Sequence, residues 1–177
     1  WGWGYNYYGQ LGKGDTVNYN YPVKTDVYFE SYFVVKKTGQ TTSYVSFDDG
    51  YYQNGKTISY ARDGTDEIVT DYTTGLMWQD DITVSTSTYT LTGAETYCTN
   101  LTKGSYNDWR LPNMKELTSI VYYATYSPSL SSTFQNAVNG SYWSSDAVAD
   151  PNDSTQAMVI SYNGYVKPDP TSNSNYV

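Results

Sequence analysis

Apolar residues recur at helical spacing in two stretches of the chain, which predicts two helices. The first is expected over residues 92–101, because its apolar positions fall on one face. That inward stripe consists of Leu91, Ala94, Cys98 and Leu101. Thr92 and Glu95 have the spacing of a capping box at its start. The sole cysteine of the chain, Cys98, is therefore expected to face the core.

The second predicted helix spans residues 114–124 and follows a proline. Pro112 has no N–H and holds Leu111 in an extended conformation, so the helix cannot begin earlier. Asn113 is a good N-cap, and Glu116 stands three residues later, as a capping box requires. The stripe that should face the core contains Met114, Leu117, Ile120, Val121 and Ala124.

Short strands and turns are predicted on both sides of these helices. A hairpin is expected over residues 68–79, with glycine in its turn. Another is expected over residues 157–166, because residues 163–164 are Asn-Gly, a strong hairpin signal. Residues 33–45 predict two further short strands, and residues 48–52 predict a tight turn.

Residues 1–32 differ from the rest of the chain because they are rich in Gly and Tyr. Their start resembles part of one repeat of the regulator-of-chromosome-condensation type, W-G-x-N-x-x-G-Q-L-G-x-G. A propeller needs several blades to bury its faces, so these residues cannot form one here. We interpret them as an arm, or as the remnant of an upstream repeat array, before a single domain over residues 33–177.

Charge and polarity limit the partners that the chain can have. The net charge is -8 with ten Lys and Arg in total, which leaves no basic surface for nucleic acid. Charged residues make up 16% of the chain against a usual value of roughly 25%. Tyr, Ser, Thr and Asn are abundant instead, which is typical of an extracellular surface. We find neither an apolar run long enough for a membrane span nor a signal peptide, and we expect a longer parent protein.

Catalytic chemistry has few candidates in this sequence. The chain has no His and one Cys, which excludes Ser-His-Asp and Cys-His catalysis as well as structural zinc sites. Two pairs of adjacent aspartates, at residues 48–49 and 80–81, are better explained as turns and solvated strand edges. We therefore expect no enzyme activity and no cofactor.

Four motifs point to a family. They are G-L-M-W-Q at residues 75–79, D-W-R-L-P-N at 108–113, Y-W-S-S at 142–145 and S-N-Y-V at 174–177. Together they resemble the Lcl C-terminal-like domain, a bacterial surface module named for a collagen-like adhesin. The resemblance covers residues 38–177.

The resemblance implies an α+β, C-type-lectin-like fold, akin to the formylglycine-generating enzyme. Two helices would pack on a twisted, mostly antiparallel sheet with long loops. It also implies that the parent chain continues into Arg-Cys-Val-Arg, whose Cys would bond Cys98. The related enzymes use paired cysteines and copper, which a chain with one Cys cannot supply.

Loops after the second helix form the exposed face in this fold, and they provide the candidate ligand-binding residues. These are Tyr142, Asp146, Asp150, Asn152, Asp153 and Tyr162. Oxygen ligands at the spacing of the four Asp and Asn residues can hold calcium. The loop lacks the ordered D-x-D-x-D-G pattern, however, so a solvated acidic loop is the favoured interpretation and no metal is assigned.

Four further residues have two interpretations each. Trp78, Trp109 and Trp143 can stack on sugar rings, although core packing is the commoner use of tryptophan in such segments. Arg110 can bind an acidic ligand, but a buried arginine paired with Asp108 or with carbonyl groups is more usual.

Two functions are consistent with these features. The first is an extracellular or cell-surface adhesion module that binds glycans or proteins through Tyr-, Asn- and Ser-rich loops, as antibody paratopes do. The alternative is a structural subunit of a surface fibre or layer, in which residues 1–32 add to the sheet edge of a neighbouring homo-oligomer subunit.

Overall fold

The structure is a computed structural model that describes residues 2–4, 6–7, 16–23, 35–149, 155–162 and 165–177. Its contacts divide the chain into two compact units, Trp1–Phe33 and Val34–Val177. In the first unit, strands β1 (Gly2–Gly4) and β2 (Tyr19–Val23) pair antiparallel, with an irregular register.

The second unit begins with a loop, although two strands were predicted there. In the described part of residues 33–45, Lys36 makes an isolated bridge to Lys56 and no strand forms. The predicted tight turn is the short helix α1 (Asp49–Tyr52), whose first turn is capped by the side chain of Asp48. Residues of high β-propensity were therefore a misleading signal here.

The first sheet of this unit has three antiparallel strands. They are β3 (Tyr60–Asp63), β4 (Ile68–Asp71) and β5 (Met77–Gln79), with β4 in the middle. The pairing of β4 with β5 confirms the predicted hairpin, and Gly75 in its turn has a φ of +80°. A short helix, α2 (Thr83–Thr86), follows.

Helix α3 (Leu91–Asn100) confirms the first predicted helix but begins with a different cap. The hydroxyl of Thr90 accepts from the Gly93 N–H at 3.3 Å. The capping box expected at Thr92 is therefore wrong, because the chain has already become helical at Leu91. Ala94 and Cys98 are buried as predicted.

Helix α4 (Met114–Ser119) has both hydrogen bonds of the predicted capping box between Asn113 and Glu116. It ends five residues before the predicted end at residue 124. The reason is that later N–H groups bond elsewhere: Tyr122 donates to the Ser129 carbonyl at 2.8 Å, and Tyr123 donates to the Thr38 carbonyl at 2.9 Å. β-Branched and aromatic residues in this stretch favour helix only weakly.

The second sheet is also antiparallel, with the order β6 (Ser141–Ala147), β7 (Gln156–Ser161), β8 (Tyr165–Pro170). The register between β7 and β8 pairs Ser161 with Tyr165, which confirms the second predicted hairpin. Its turn at residues 163–164 lies outside the described residues. Tyr176 lies beside β6, because its carbonyl accepts from the Trp143 N–H at 3.0 Å.

The core lies on both faces of this second sheet. Adjacent residues of a strand point to opposite faces, so Tyr142 joins a cluster with Leu117 of α4, while Trp143 joins a cluster with Ala94 and Cys98 of α3. The run Tyr142–Ser144 is buried without alternation for the same reason. The chain is thus α+β, as predicted, with two three-stranded antiparallel sheets and few helices.

None of the helices in the described ranges combines the length and the apolar content that crossing a membrane requires.

Candidate functional site

Two of the predicted ligand-binding residues, Tyr142 and Tyr162, lie in the core. They are 5% and 3% exposed, and their ring centroids are 5.0 Å apart. The Tyr142 hydroxyl accepts from the Val138 N–H at 2.9 Å and donates to its carbonyl at 3.2 Å. The expectation that both tyrosines lie on an exposed loop face is wrong, because their rings fill the space between the sheet and α4.

Asp146 connects strand β6 to helix α4. Its carboxylate accepts from the Met114 N–H at 2.7 Å and so occupies the start of that helix. Asp150, Asn152 and Asp153 lie outside the described residues, so calcium binding by this loop stays a prediction. Within the described ranges, no group of three or more His, Cys, Asp or Glu side chains is arranged to hold a metal ion.

A cavity of about 410 Å³ lies beside the two buried tyrosines. Its wall comes from β5, α3, α4 and the segment that joins the two helices, and aromatic rings supply much of it. These rings belong to Trp78, Tyr106, Trp109, Phe134, Tyr142, Trp143 and Tyr162. All three tryptophans for which the sequence allowed either sugar stacking or core packing line this cavity. It is therefore the candidate functional site.

The three indole N–H groups at this cavity differ in their hydrogen bonds. Trp143 is 0% exposed and donates to the Tyr89 carbonyl at 2.7 Å, while Trp109 donates to the Lys103 carbonyl at 3.3 Å. The Nε1 atom of Trp78 is buried and has no hydrogen-bond partner. Among the side-chain nitrogens and oxygens that the structure describes, no other buried atom lacks one. A buried donor without a partner costs about 1–3 kcal/mol. An acceptor atom within hydrogen-bond distance of this N–H would remove that cost.

Arg110 contributes to the cavity wall and remains 59% exposed. Its guanidinium grips Glu116 with two hydrogen bonds, of 2.8 and 2.5 Å. These bonds are the main reason that the pKa of Glu116 is lowered, and they raise the pKa of Arg110. The predicted burial and the pairing with Asp108 are wrong, because the capping box already brings Glu116 back towards residue 110. The alternative pairing with a carbonyl group is present, since Arg110 Nη1 donates to the Leu111 carbonyl at 3.4 Å.

The other titratable side chains of the cavity wall include two that are neutral at pH 7. Burial raises the pKa of the Cys98 thiol to about 11 and that of the Tyr142 hydroxyl to about 12. Neither group is therefore poised as a nucleophile or a general base. Cys98 is a free thiol in the same core cluster against which Val177 packs, so the disulfide implied by the resemblance stays a prediction.

Asp80 is a structural centre that sequence reasoning missed. It is 1% exposed, which contradicts its interpretation as part of a solvated edge. Its carboxylate accepts from Arg62 Nε at 2.5 Å and from the N–H groups of Gln135 and Asn136 at 3.0 Å each. These partners are far away in sequence, so no local pattern could have revealed them.

A second buried ion pair, between Lys36 and Asp71, was also missed. Asp71 is 0% exposed, and the side chain of Lys36 is 8% exposed. Lys36 Nζ donates to the Asp71 carboxylate and to the Ser119 carbonyl at 3.0 Å. Burial alone would raise the pKa of Asp71, but hydrogen bonds from Lys36 and Thr74 outweigh it and lower that pKa.

These features define an α+β domain whose sheet and helices surround an aromatic cavity. Residues 67–177 match the Lcl C-terminal domain, and the chain belongs to that family. Residues 1–36 match the regulator of chromosome condensation (RCC1) repeat. Both matches confirm the resemblances seen in the sequence. No curated protein and no solved structure matches the chain.

Proposed function

We propose that this chain is a binding module that acts in adhesion outside the cell or on a bacterial cell surface. The aromatic cavity with the unpartnered Trp78 N–H carries the proposal. A concave apolar site with a few polar groups is the usual form of a ligand pocket. Trp78 lines this site, and its buried indole N–H has no partner, so a ligand oxygen that reaches this N–H would be bonded by it.

The chemistry of the cavity favours a neutral ligand that has both an apolar face and an oxygen acceptor. A sugar ring has these properties, since its C–H face packs on an indole and its oxygens accept hydrogen bonds. The charged side chains of Arg110 and Asp80 are already paired with Glu116 and Arg62. A glycan is therefore the favoured ligand, and a protein loop with a Ser, Asn or Tyr side chain is the other.

The same arrangement supports a C-type-lectin-like fold and a function without catalysis. Helices α3 and α4 pack on opposite faces of the second sheet, and residues 120–140 connect α4 to β6 without a helix or strand. The family resemblance implies such a fold. The raised pKa values of Cys98 and Tyr142 fit a site that binds rather than reacts.

The test is binding of the full chain to a glycan array and to a panel of matrix proteins, with and without calcium. We expect binding to a glycan or a protein, and we expect Trp78→Phe to weaken it about tenfold, as the loss of one hydrogen bond would. The melting temperature should change little, because the N–H that is removed has no partner.

Tyr60→Phe is the matched control, because Tyr60 does not line the cavity. It removes a hydroxyl that accepts from Lys36 Nζ at 3.3 Å, so it should lower the melting temperature while leaving the affinity of the folded protein unchanged. Two results would contradict the proposal: no binding to any surface under either condition, or equal affinity of the wild type and Trp78→Phe.

The alternative function is a fibre or surface-layer subunit, and the paired strands β1 and β2 support it. They pair antiparallel within the described residues, and a fibre would form if a strand of a neighbouring subunit added to this sheet. The outer strand β8 is poorly suited to pair with a strand of a neighbouring subunit, because Pro168 and Pro170 have no N–H to donate.

Deletion of residues 1–32 tests the alternative. We expect it to convert any assembled form into a monomer, because the strands that would pair between subunits are lost. Sedimentation velocity at several concentrations measures this. An unchanged assembly state after the deletion would exclude the fibre mechanism.

A further inference from the structure

Three aromatic side chains are exposed together on the loop around helix α1. Phe47, Tyr51 and Tyr52 are 69%, 59% and 53% exposed, and we call them the aromatic platform. Their ring centroids are 5.6 Å apart for Phe47 and Tyr51, 6.1 Å for Phe47 and Tyr52, and 5.1 Å for Tyr51 and Tyr52. None of these residues lines the cavity.

Asp48 holds the backbone of the platform in place. Its carboxylate accepts from the N–H groups of Tyr44 at 2.7 Å, Val45 at 3.1 Å and Tyr51 at 2.9 Å. The platform therefore belongs to a loop with a fixed shape.

The loop that carries the platform is also fixed at its base. The Lys37 N–H donates to the Lys56 carbonyl at 3.0 Å, and the Lys56 N–H donates to the Val35 carbonyl at 2.9 Å. Gly50 allows close packing inside the loop, since a Cβ there would lie 2.1 Å from the Thr42 carbonyl oxygen. The rings are thus presented by a closed, packed segment rather than by a free end.

Phe47 is unfavourable in two ways that packing does not explain. Its φ is +71°, in the left-handed region where glycine or asparagine is preferred and where a bulky residue is strained. Its ring is also mostly in contact with water. Backbone strain of this kind is common at ligand sites, and a ligand that covers the ring would account for both features.

The size and charge of the platform identify its occupant. The three rings together expose roughly 350 Å². Tyr44 and Val45 of the same loop, 77% and 67% exposed, raise this to roughly 600 Å², still below the roughly 800 Å² per partner of a stable protein interface. The nearest charged residues in the loop are the acidic Asp48 and Asp49, which disfavour anionic membranes and nucleic acids. Flat, neutral rings with hydroxyl groups at their margins match the C–H faces and hydroxyl groups of sugars.

We propose that the aromatic platform is a carbohydrate-binding site, distinct from the cavity, on which the sugar rings of a neutral polysaccharide stack. The site goes beyond the function proposed for the cavity, since it uses other residues and would bind an extended chain on an open surface. Two such sites in one module would strengthen attachment to a polysaccharide that reaches both.

Affinity electrophoresis of the full chain in native gels tests this site. The gels contain dextran, mixed-linkage β-glucan, xylan or galactomannan, and we expect at least one of them to retard the protein. Phe47→Ala and Tyr51→Ala should each weaken that retardation at least tenfold. Tyr72→Ala removes a tyrosine that is 63% exposed elsewhere, and it should leave retardation unchanged. Trp78→Phe in the cavity should weaken the retardation less than Phe47→Ala does, which separates the two sites.

Phe47→Gly distinguishes binding from packing. Glycine suits the positive φ, so this variant should melt at the same temperature as the wild type or higher, yet lose retardation. Absence of retardation by every polysaccharide, or full retardation of Phe47→Gly, would overturn the proposal. So would a platform variant that instead abolishes self-association in sedimentation or binding to phosphatidylcholine vesicles.

Discussion

Asp80→Ala is expected to lower the free energy of unfolding by about 3–5 kcal/mol, as breaking a buried ion pair usually does. The substitution leaves the guanidinium of Arg62, whose side chain is 13% exposed, without its carboxylate. It also leaves the N–H groups of Gln135 and Asn136 without their acceptor. A domain of this size has about 5–15 kcal/mol in total, so the loss is large. Urea denaturation followed by tryptophan fluorescence measures it.

Asp66→Ala is the control for Asp80, because Asp66 is an exposed aspartate a few residues away from Arg62 in sequence. Its effect should stay within about 0.5 kcal/mol, as for most surface substitutions. Equal effects of the two substitutions would show that Asp80 does not anchor the loop at residues 135–136.

Lys36→Met is expected to have the second large effect, and it should also lower the free energy of unfolding by about 3–5 kcal/mol. It leaves Asp71 charged and buried without its partner, and it removes the hydrogen bond to the Ser119 carbonyl. Lys115→Met is the control, because Lys115 is exposed. Its effect on the free energy of unfolding should be within about 0.5 kcal/mol.

The loss in Lys36→Met should depend on pH in a defined direction. The pKa of Asp71 is lowered in the folded protein, so the stability it contributes is present above the unfolded pKa of about 4. That contribution disappears as the pH falls through the lower folded pKa. The difference between the wild type and Lys36→Met should therefore shrink between about pH 5 and pH 2. A difference that grows towards acid pH would contradict the assignment of the pair.

Local signals in the sequence were sufficient for part of the fold. The capping box at Asn113 and Glu116 and the hairpin around Gly75 depend on residues within a few positions of one another. Such features depend on short-range hydrogen bonds and backbone conformation, which can be predicted from neighbouring residues in the sequence. The predicted burial of Cys98 was confirmed for a similar reason, since helical spacing fixes the face on which it lies.

Features that depend on distant partners could not be predicted. Helix α4 ends early because Tyr123 bonds Thr38, and Asp80 is buried because residues 135–136 and Arg62 come to it. Adjacent aspartates look alike in sequence whether they are solvated or buried. Only the tertiary structure separates Asp80 from an ordinary turn residue.

The candidate site was predicted residue by residue but not as a whole. Trp78, Trp109 and Tyr142 each drew attention in the sequence, yet nothing there showed that they surround one cavity. The platform was missed because residues 42–52 were interpreted as a strand and a turn. A Phe between two turn segments and directly before Asp-Asp-Gly was the available signal.

The most direct test of the account is the indole N–H spectrum of the ¹⁵N-labelled protein during titration with the ligand that the array identifies. The Trp78 resonance should shift strongly as its unpaired N–H gains an acceptor, while that of Trp143, already bonded to Tyr89, should shift much less. An unchanged chemical shift of Trp78 at a ligand concentration that saturates binding would show that the ligand does not bind in the cavity.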